Sequence, residues 1–188
     1  STESTTSTTS YTTTATDAST ATTAPGTSAD QEVIDRYIGY WNARFEANSG
    51  TPDPNDPALR EYATGEQLET VVAETQSNLD EGLAFQRAAE PHNIQRVTVV
   101  EIEGDRAVVQ ECVVADGVVV RRDTGEVVND QVNTHNVQAE MTRVDGTVVH
   151  LGVALNGVFD QSGMLSAVCG LLFGAPEAMQ MKARLLAQ

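Results

Sequence analysis

The stretch from Ile94 to Val114, IQRVTVVEIEGDRAVVQECVV, limits what this chain can fold into more than any other. Two runs rich in Val and Ile flank EGDR, where Gly104 and Asp105 supply tight-turn chemistry, so the spacing predicts a β-hairpin. Both arms alternate for much of their length, with Ile94, Arg96, Thr98 and Val100 set against Gln95, Val97, Val99 and Glu101. A period of two gives a strand two unlike faces, one buried and one wetter.

What precedes the hairpin begins as a tail. The first 30 residues hold 19 Ser or Thr and no basic residue, and Tyr11 is their only large apolar side chain. Such a segment cannot bury enough apolar surface to offset the entropy of ordering its backbone, about 1–2 kcal/mol per residue. Residues 1–30 read as a disordered tether and residues 31–188 as one domain. Net charge is −16, most of it in the domain. A polyanion repels phosphate and releases no counterions, which argues against nucleic acid and against an anionic membrane surface. No apolar run approaches the roughly 18–20 residues of a spanning helix, and Met164 to Phe173 reaches about half that. The Ser/Thr-rich start is what a mature secreted protein or a lipoprotein tether would show; the alternative is an ordinary disordered N-terminus.

Three helices are expected next. In SADQEVIDRYIGYWNARFEAN, Ser28 or Asp30 can cap, and Ile34, Tyr37, Ile38, Trp41 and Phe45 form an amphipathic face with Tyr40 off its centre. Asp56-Pro57 starts a short second helix, ALREYA, because Pro suits the first helical position. Thr64 and Gln67 form a capping-box pattern for a third, which Gly82 ends. Leu68, Val71, Val72, Thr75 and Leu79 line its expected buried face.

From Leu83 the period changes. LAFQRAAE reads as a short strand before the hairpin; GVVVRR and EVVND flank a turn at Asp123 to Gly125. QVNTHNVQAEMTRV then turns at Asp145-Gly146 into TVVHLGVAL. These are five or six strands, antiparallel because the connections are too short for crossovers. The fold class is therefore α+β: three N-terminal helices on one face of a curved antiparallel sheet, with a terminal helix after Pro176.

Cys112 lies in the second arm of the hairpin and Cys169 near the C-terminus. In an oxidising compartment the economical reading is one disulfide; the alternative is two buried thiols. A bond would close a loop of nearly 60 residues, worth about 4 kcal/mol in the chain-entropy model. Neither cysteine has a CxxC neighbour, so zinc and redox catalysis are poor readings.

This order of elements resembles the nuclear transport factor 2-like superfamily, and within it actinobacterial secreted proteins or lipoproteins. The resemblance rests on YIGYW (Tyr37 to Trp41), DPALREYATGEQLETV (Asp56 to Val71), GDRAVVQECV (Gly104 to Val113) and DTGEVV (Asp123 to Val128), in that order. It implies a cone-shaped fold with a pocket between sheet and first helix, and a strand cysteine paired with a C-terminal one, here Cys112 with Cys169. It also implies an extracytoplasmic place in the cell envelope or outside it. The segment after His150 runs longer than in that pattern.

Enzymes of this resemblance, the SnoaL-like cyclases and ketosteroid isomerases, work with a carboxylate or His in an apolar cone. Pocket candidates here are Tyr37, Trp41, Phe45, Glu111, His135 and Glu140. Glu111 must face opposite Cys112 on a regular strand and reads first as a solvated strand residue. His135 and Glu140 have opposite parity and cannot both point into a cone without a bulge. Tyr37 and Trp41 read first as core packing. His92 and His150 lack the spacing of metal ligands, and no phosphate-loop, dinucleotide or nucleophile-elbow motif occurs, so no metal or cofactor is expected. The reading that follows is a non-catalytic extracytoplasmic module binding a small apolar ligand or a partner protein. Its alternatives are a subunit of a homo-oligomer or envelope assembly joined through the sheet or terminal helix, and a SnoaL-like isomerase, hydratase or cyclase.

Overall fold

The computed structural model describes residues 28–89 and 94–154. Residues 1–27 of the expected tether, the terminal helix and Cys169 lie outside them, while residues 28–30, expected in the tether, begin the first helix. Three helices come first: α1 (Ser28–Ala47), α2 (Pro57–Tyr62) and α3 (Gly65–Glu81). Seven strands follow: β1 (Leu83–Gln86), β2 (Ile94–Glu103), β3 (Arg106–Ala115), β4 (Val118–Arg121), β5 (Val127–Asn129), β6 (Asn133–Val144) and β7 (Thr147–Ala154).

The single sheet of five or six strands is corrected by the topology. Strands β2-β3-β6-β7 form one antiparallel sheet, and β1-β4-β5 form a second, smaller one. Only Asp116 and Gly117 separate β3 from β4, and only residues 130–132 separate β5 from β6. Thus β3–β4 and β5–β6 are two arms of one long hairpin whose ladder breaks part-way. Pairing runs from Arg106↔Thr142 to Ala115↔Asn133, stops, and resumes at Val119↔Asn129. Gly and Asp are poor in strands, and at this break the hairpin leaves one sheet and enters the other.

The buried stripe of α1 also differs from the expected one. Its most enclosed residues are Val33, Tyr37, Tyr40, Ala43 and Ala47, while Ile34, Ile38, Trp41 and Phe45 are half-buried. The reason is packing on two sides. Val33 and Tyr37 press on Ala107, Val109, Ala139, Met141 and Val148 of the larger sheet. Tyr40 and Ala47 pack with Leu59, Ala63 and Val71 of the helical layer. Trp41 touches both clusters. Each fully buried side chain of Leu59's kind contributes about 1.5–3 kcal/mol. The α1–α2 approach is close: a Cβ on Gly39 would meet the Tyr62 ring at 2.2 Å.

Asp56 caps α2 as expected, its Oδ1 accepting from the Ala58 N–H at 2.8 Å, and Gly82 ends α3 with φ of +71°. The Thr64 capping box does not form. Thr64 makes no side-chain cap; its N–H donates to His150 O at 2.9 Å, and Gln67 donates instead to the Tyr40 hydroxyl. Docking against β7 outcompeted the local motif.

Buried polar contacts fix the layers. Asn48 Nδ2 donates to Thr75 Oγ1 at 3.0 Å and to Arg44 O at 2.8 Å, and Asn78 donates to Asn48 Oδ1 at 2.7 Å. The Asn48 carbonyl accepts from Phe85 N–H at 2.8 Å, so one side chain and its backbone tie α1, α3 and β1 together. At the other end Arg36 Nε donates to Val148 O at 2.8 Å, and its guanidinium lies 4.1 Å over the Tyr62 ring.

Candidate functional site

Two β-bulges decide which side chains meet inside. Between turn and bulge, Glu101 pairs with Val108; beyond it, Val99 pairs with Val109. The extra residue at Val100 flips the rest of β2, so that Gln95, Val97 and Val99 share a face with Val109, Glu111 and Val113. A second bulge, between Glu140 and Met141, sets His150 opposite Met141 in the row that runs to Ala107.

The inner face so made carries a carboxyl group. Glu111 is 1% exposed. This corrects the expectation of a solvated strand residue, because α1 covers the face opposite Cys112. Tyr37 O–H donates to Glu111 Oε2 at 2.7 Å, and Gln95 Nε2 donates to Oε1 at 2.5 Å. Burial pushes the Glu111 carboxyl up from its ordinary range, while the Gln95 and Tyr37 hydrogen bonds pull it back in part. Tyr37 is held well above the usual phenol value, first by burial and then by the Glu111 charge.

Glu111 opens onto a cavity of about 460 Å³ between α1 and the break in the long hairpin. Trp41 and Phe45 of α1 line it together with Phe85, Val113, Val119 and Val137 of the strands. Of the pocket candidates, the structure brings Trp41, Phe45 and Glu111 into one lining, with Tyr37 bonded to Glu111 behind them. Glu140, paired with Arg106 and part-exposed, is outside this lining and instead lines a neighbouring hollow of about 540 Å³ with Tyr40 and Trp41. The backbone of His135 pairs with Val113. Cys112 is fully buried on the opposite face of β3 and is not a free thiol. Gln95, Phe85, Arg44 and Arg87 were not singled out in the sequence; the alternation of Gln95 with Val97 and Val99 was their one visible signal. Among the described residues no three His, Cys, Asp or Glu side chains are grouped as metal ligands.

Beside the cavity sits a second buried polar group. His150 is fully enclosed and stacks between Tyr37 and Tyr40, with centroids at 5.4 and 4.5 Å. Among the described residues neither imidazole nitrogen has a hydrogen-bond partner, nor does Trp41 Nε1. Burial lowers the His150 pKa to about 4.

No protein-family model matches the sequence, and no curated protein does. Solved structures do match. The intermembrane space region of the chloroplast protein ARC6 is similar at 14% identity over 70% of this chain and 98% of that one, with a TM-score of 0.53. That likeness is one of fold: the chain shares its α+β architecture. A protein described as a SnoaL-like polyketide cyclase, from Jannaschia sp. CCS1, matches at 18% identity over 81% and 99%, with a TM-score of 0.33. AclR of Streptomyces galilaeus, a protein described as a hydroxylase, matches at 15% identity over 82% and 94%, with a TM-score of 0.31. Overlaps so loose carry no conclusion about this chain.

A buried neutral His makes stability depend on pH. The unfolded chain takes up a proton near pH 6.5 and the folded chain only near 4, so stability is lost as pH falls through that window. The loss by pH 4 is about 3 kcal/mol. Glu111 works the other way, since its raised carboxyl keeps a proton longer when folded. Urea unfolding of the wild type and of His150→Phe at pH 7 and pH 4.5 separates the two, because Glu111 is common to both. His150→Phe is expected to lose markedly less stability on acidification; equal losses would show that His150 is not a buried neutral base.

Proposed function

We propose that the domain is a small-molecule-binding module whose ligand has an apolar body and one uncharged hydrogen-bonding group directed at Glu111. The observation that carries this is a buried carboxyl, Glu111, held by Tyr37 and Gln95 at the inner end of a cavity whose lining also holds Trp41, Phe45, Phe85 and four strand valines. A space of about 460 Å³ falls within the roughly 300–1,000 Å³ of small-molecule sites. Burying a polar group costs stability unless it is satisfied, and placing one at the end of an apolar hollow fixes a ligand's orientation. The order of the helices, the turn motifs and this cavity support the nuclear transport factor 2-like reading made from the sequence.

A second reading is favoured by the same pair. A carboxyl raised by burial and hydrogen-bonded to a phenol can move a proton at carbon beside a carbonyl, as an isomerase or cyclase requires.

The remaining expectations extend the proposal. We place the protein outside the cytoplasm, tethered by its Ser/Thr-rich segment, with Cys112 bonded to Cys169. A partner protein or a second copy meeting the sheet or the C-terminal segment stays a proposal of the same standing. No helix among the described residues is long and apolar enough to cross a membrane.

Three measurements test these readings. The neutral dye N-phenyl-1-naphthylamine is expected to bind one per chain with saturation, and Val113→Trp, which fills the cavity, to abolish binding while far-ultraviolet circular dichroism is unchanged. Binding that survives Val113→Trp places the dye elsewhere and removes the ligand reading. The catalytic reading expects deuterium uptake from heavy water into the α-position of a cyclic ketone such as 2-tetralone, lost in Glu111→Gln; uptake no faster than buffer eliminates it for such ketones. Intact mass of the oxidised protein after alkylation, with and without prior reduction, is expected to show two thiols only after reduction.

A further inference from the structure

The inner end of the cavity is set by Glu111, and two guanidiniums stand at its mouth. Phe45 of α1 and Phe85 of β1 lie with ring centroids 6.4 Å apart. A guanidinium covers each ring: Arg87 is 4.2 Å from the Phe45 centroid and Arg44 is 5.3 Å from that of Phe85. All four residues line the cavity. Two guanidiniums thus stand at one opening, each with a carboxylate partner, Arg44 with Glu74 and Arg87 with Glu46.

The two arginines are not equivalent. Arg44 is held by Glu74, whose Oε2 accepts from Nε at 2.7 Å and whose Oε1 accepts from the adjacent nitrogen, so it acts as a fixed wall. The Arg87 side chain is 62% exposed, and its ion pair with Glu46 is long, 3.6 Å, and exposed at both ends. Such a pair is worth little and is readily exchanged. A guanidinium has five N–H donors in a planar fork that matches a carboxylate, so Arg87 keeps donors for an incoming anion. Asp116, the other acid of the lining, is buried at the break in the hairpin and already has a partner.

We propose that the pocket selects an amphiphilic organic anion, with its uncharged polar group toward Glu111, its apolar chain between Trp41, Phe85 and the strand valines and its carboxylate on Arg87 at the mouth. This rests on the small-molecule reading above and adds the head-group class. Glu111 fixes the direction, because a second acid is repelled from the inner end. Strand rise of about 3.3 Å per residue puts about 13 Å between Glu111 and Ala115 at the mouth side, enough for a medium-length alkyl chain. The protein's overall negative charge is screened beyond about 8 Å at physiological salt, so the preference turns on nearby groups: Arg87 draws the carboxylate, which displaces Glu46.

Trp41 is the only Trp and lines the cavity, so its fluorescence reports occupancy. The full chain is titrated with decanoate, 1-decanol and decylammonium below their micelle thresholds. Decanoate is expected to bind at least as tightly as decanol, although the alcohol is the more apolar of the two. Arg87→Gln should weaken decanoate about tenfold and leave decanol within about twofold. Decanol binding without decanoate, a preference for the ammonium, or an Arg87→Gln variant with unchanged decanoate affinity overturns the head-group assignment while the pocket stands. If no amphiphile perturbs Trp41 and the naphthylamine dye is not bound either, both readings fall together.

Discussion

The break at Asp116–Gly117 governs everything that follows from it. An unbroken hairpin from Arg106 to Val144 would continue one sheet, and α1 could pack along its whole length. Instead the ladder stops after Ala115↔Asn133 and resumes in a separate sheet at Val119↔Asn129. Helix α1 then presses Val33 and Tyr37 on the larger sheet alone. Trp41 and Phe45, one and two turns further on, face the break and are left half-buried around a hollow. The cavity is the geometric remainder of a straight helix against a hairpin that changes sheets.

That geometry also explains why polar groups are tolerated where the core is tightest. Glu111 survives burial because Tyr37 and Gln95 both donate to it, and both donors come from elements that the fold already needs. His150 survives as a neutral ring sandwiched between two tyrosines, with its nitrogens unsatisfied. Each unsatisfied buried group costs about 1–3 kcal/mol, and a leucine at either position would cost less. Tyr37 links them, stacking on His150 with its ring and donating to Glu111 with its hydroxyl.

Much of the secondary structure could be read from local chemistry. The turns at Gly104 and at Asp145–Gly146, the Asp56 cap and the Gly82 stop each depend on a few neighbouring residues, and each lies where those residues put it. The site was legible only in part. Tyr37, Trp41, Phe45 and Glu111 were visible as residue types at helical or strand spacing. That Glu111 points inward was not, because β3 reads as apolar on both faces: Val109 and Val113 flank Glu111, and Val114 follows Cys112. The Val100 bulge, which turns Gln95 toward Glu111, leaves no mark in an alternating run. The Thr64 capping pattern misled because a tertiary contact to His150 claimed the backbone group it would have organised.

Sequence by itself determined the elements and their order, since helix faces, caps and tight turns are set by side chains within a few residues of one another. It also determined the negative charge and the position of the two cysteines. The tertiary structure alone decided that there are two sheets rather than one, which face of β3 is covered, and that arginines from α1 and from the end of β1 meet at one opening. Those outcomes depend on strand register and on where α1 docks, and both are fixed by contacts between residues far apart in the chain.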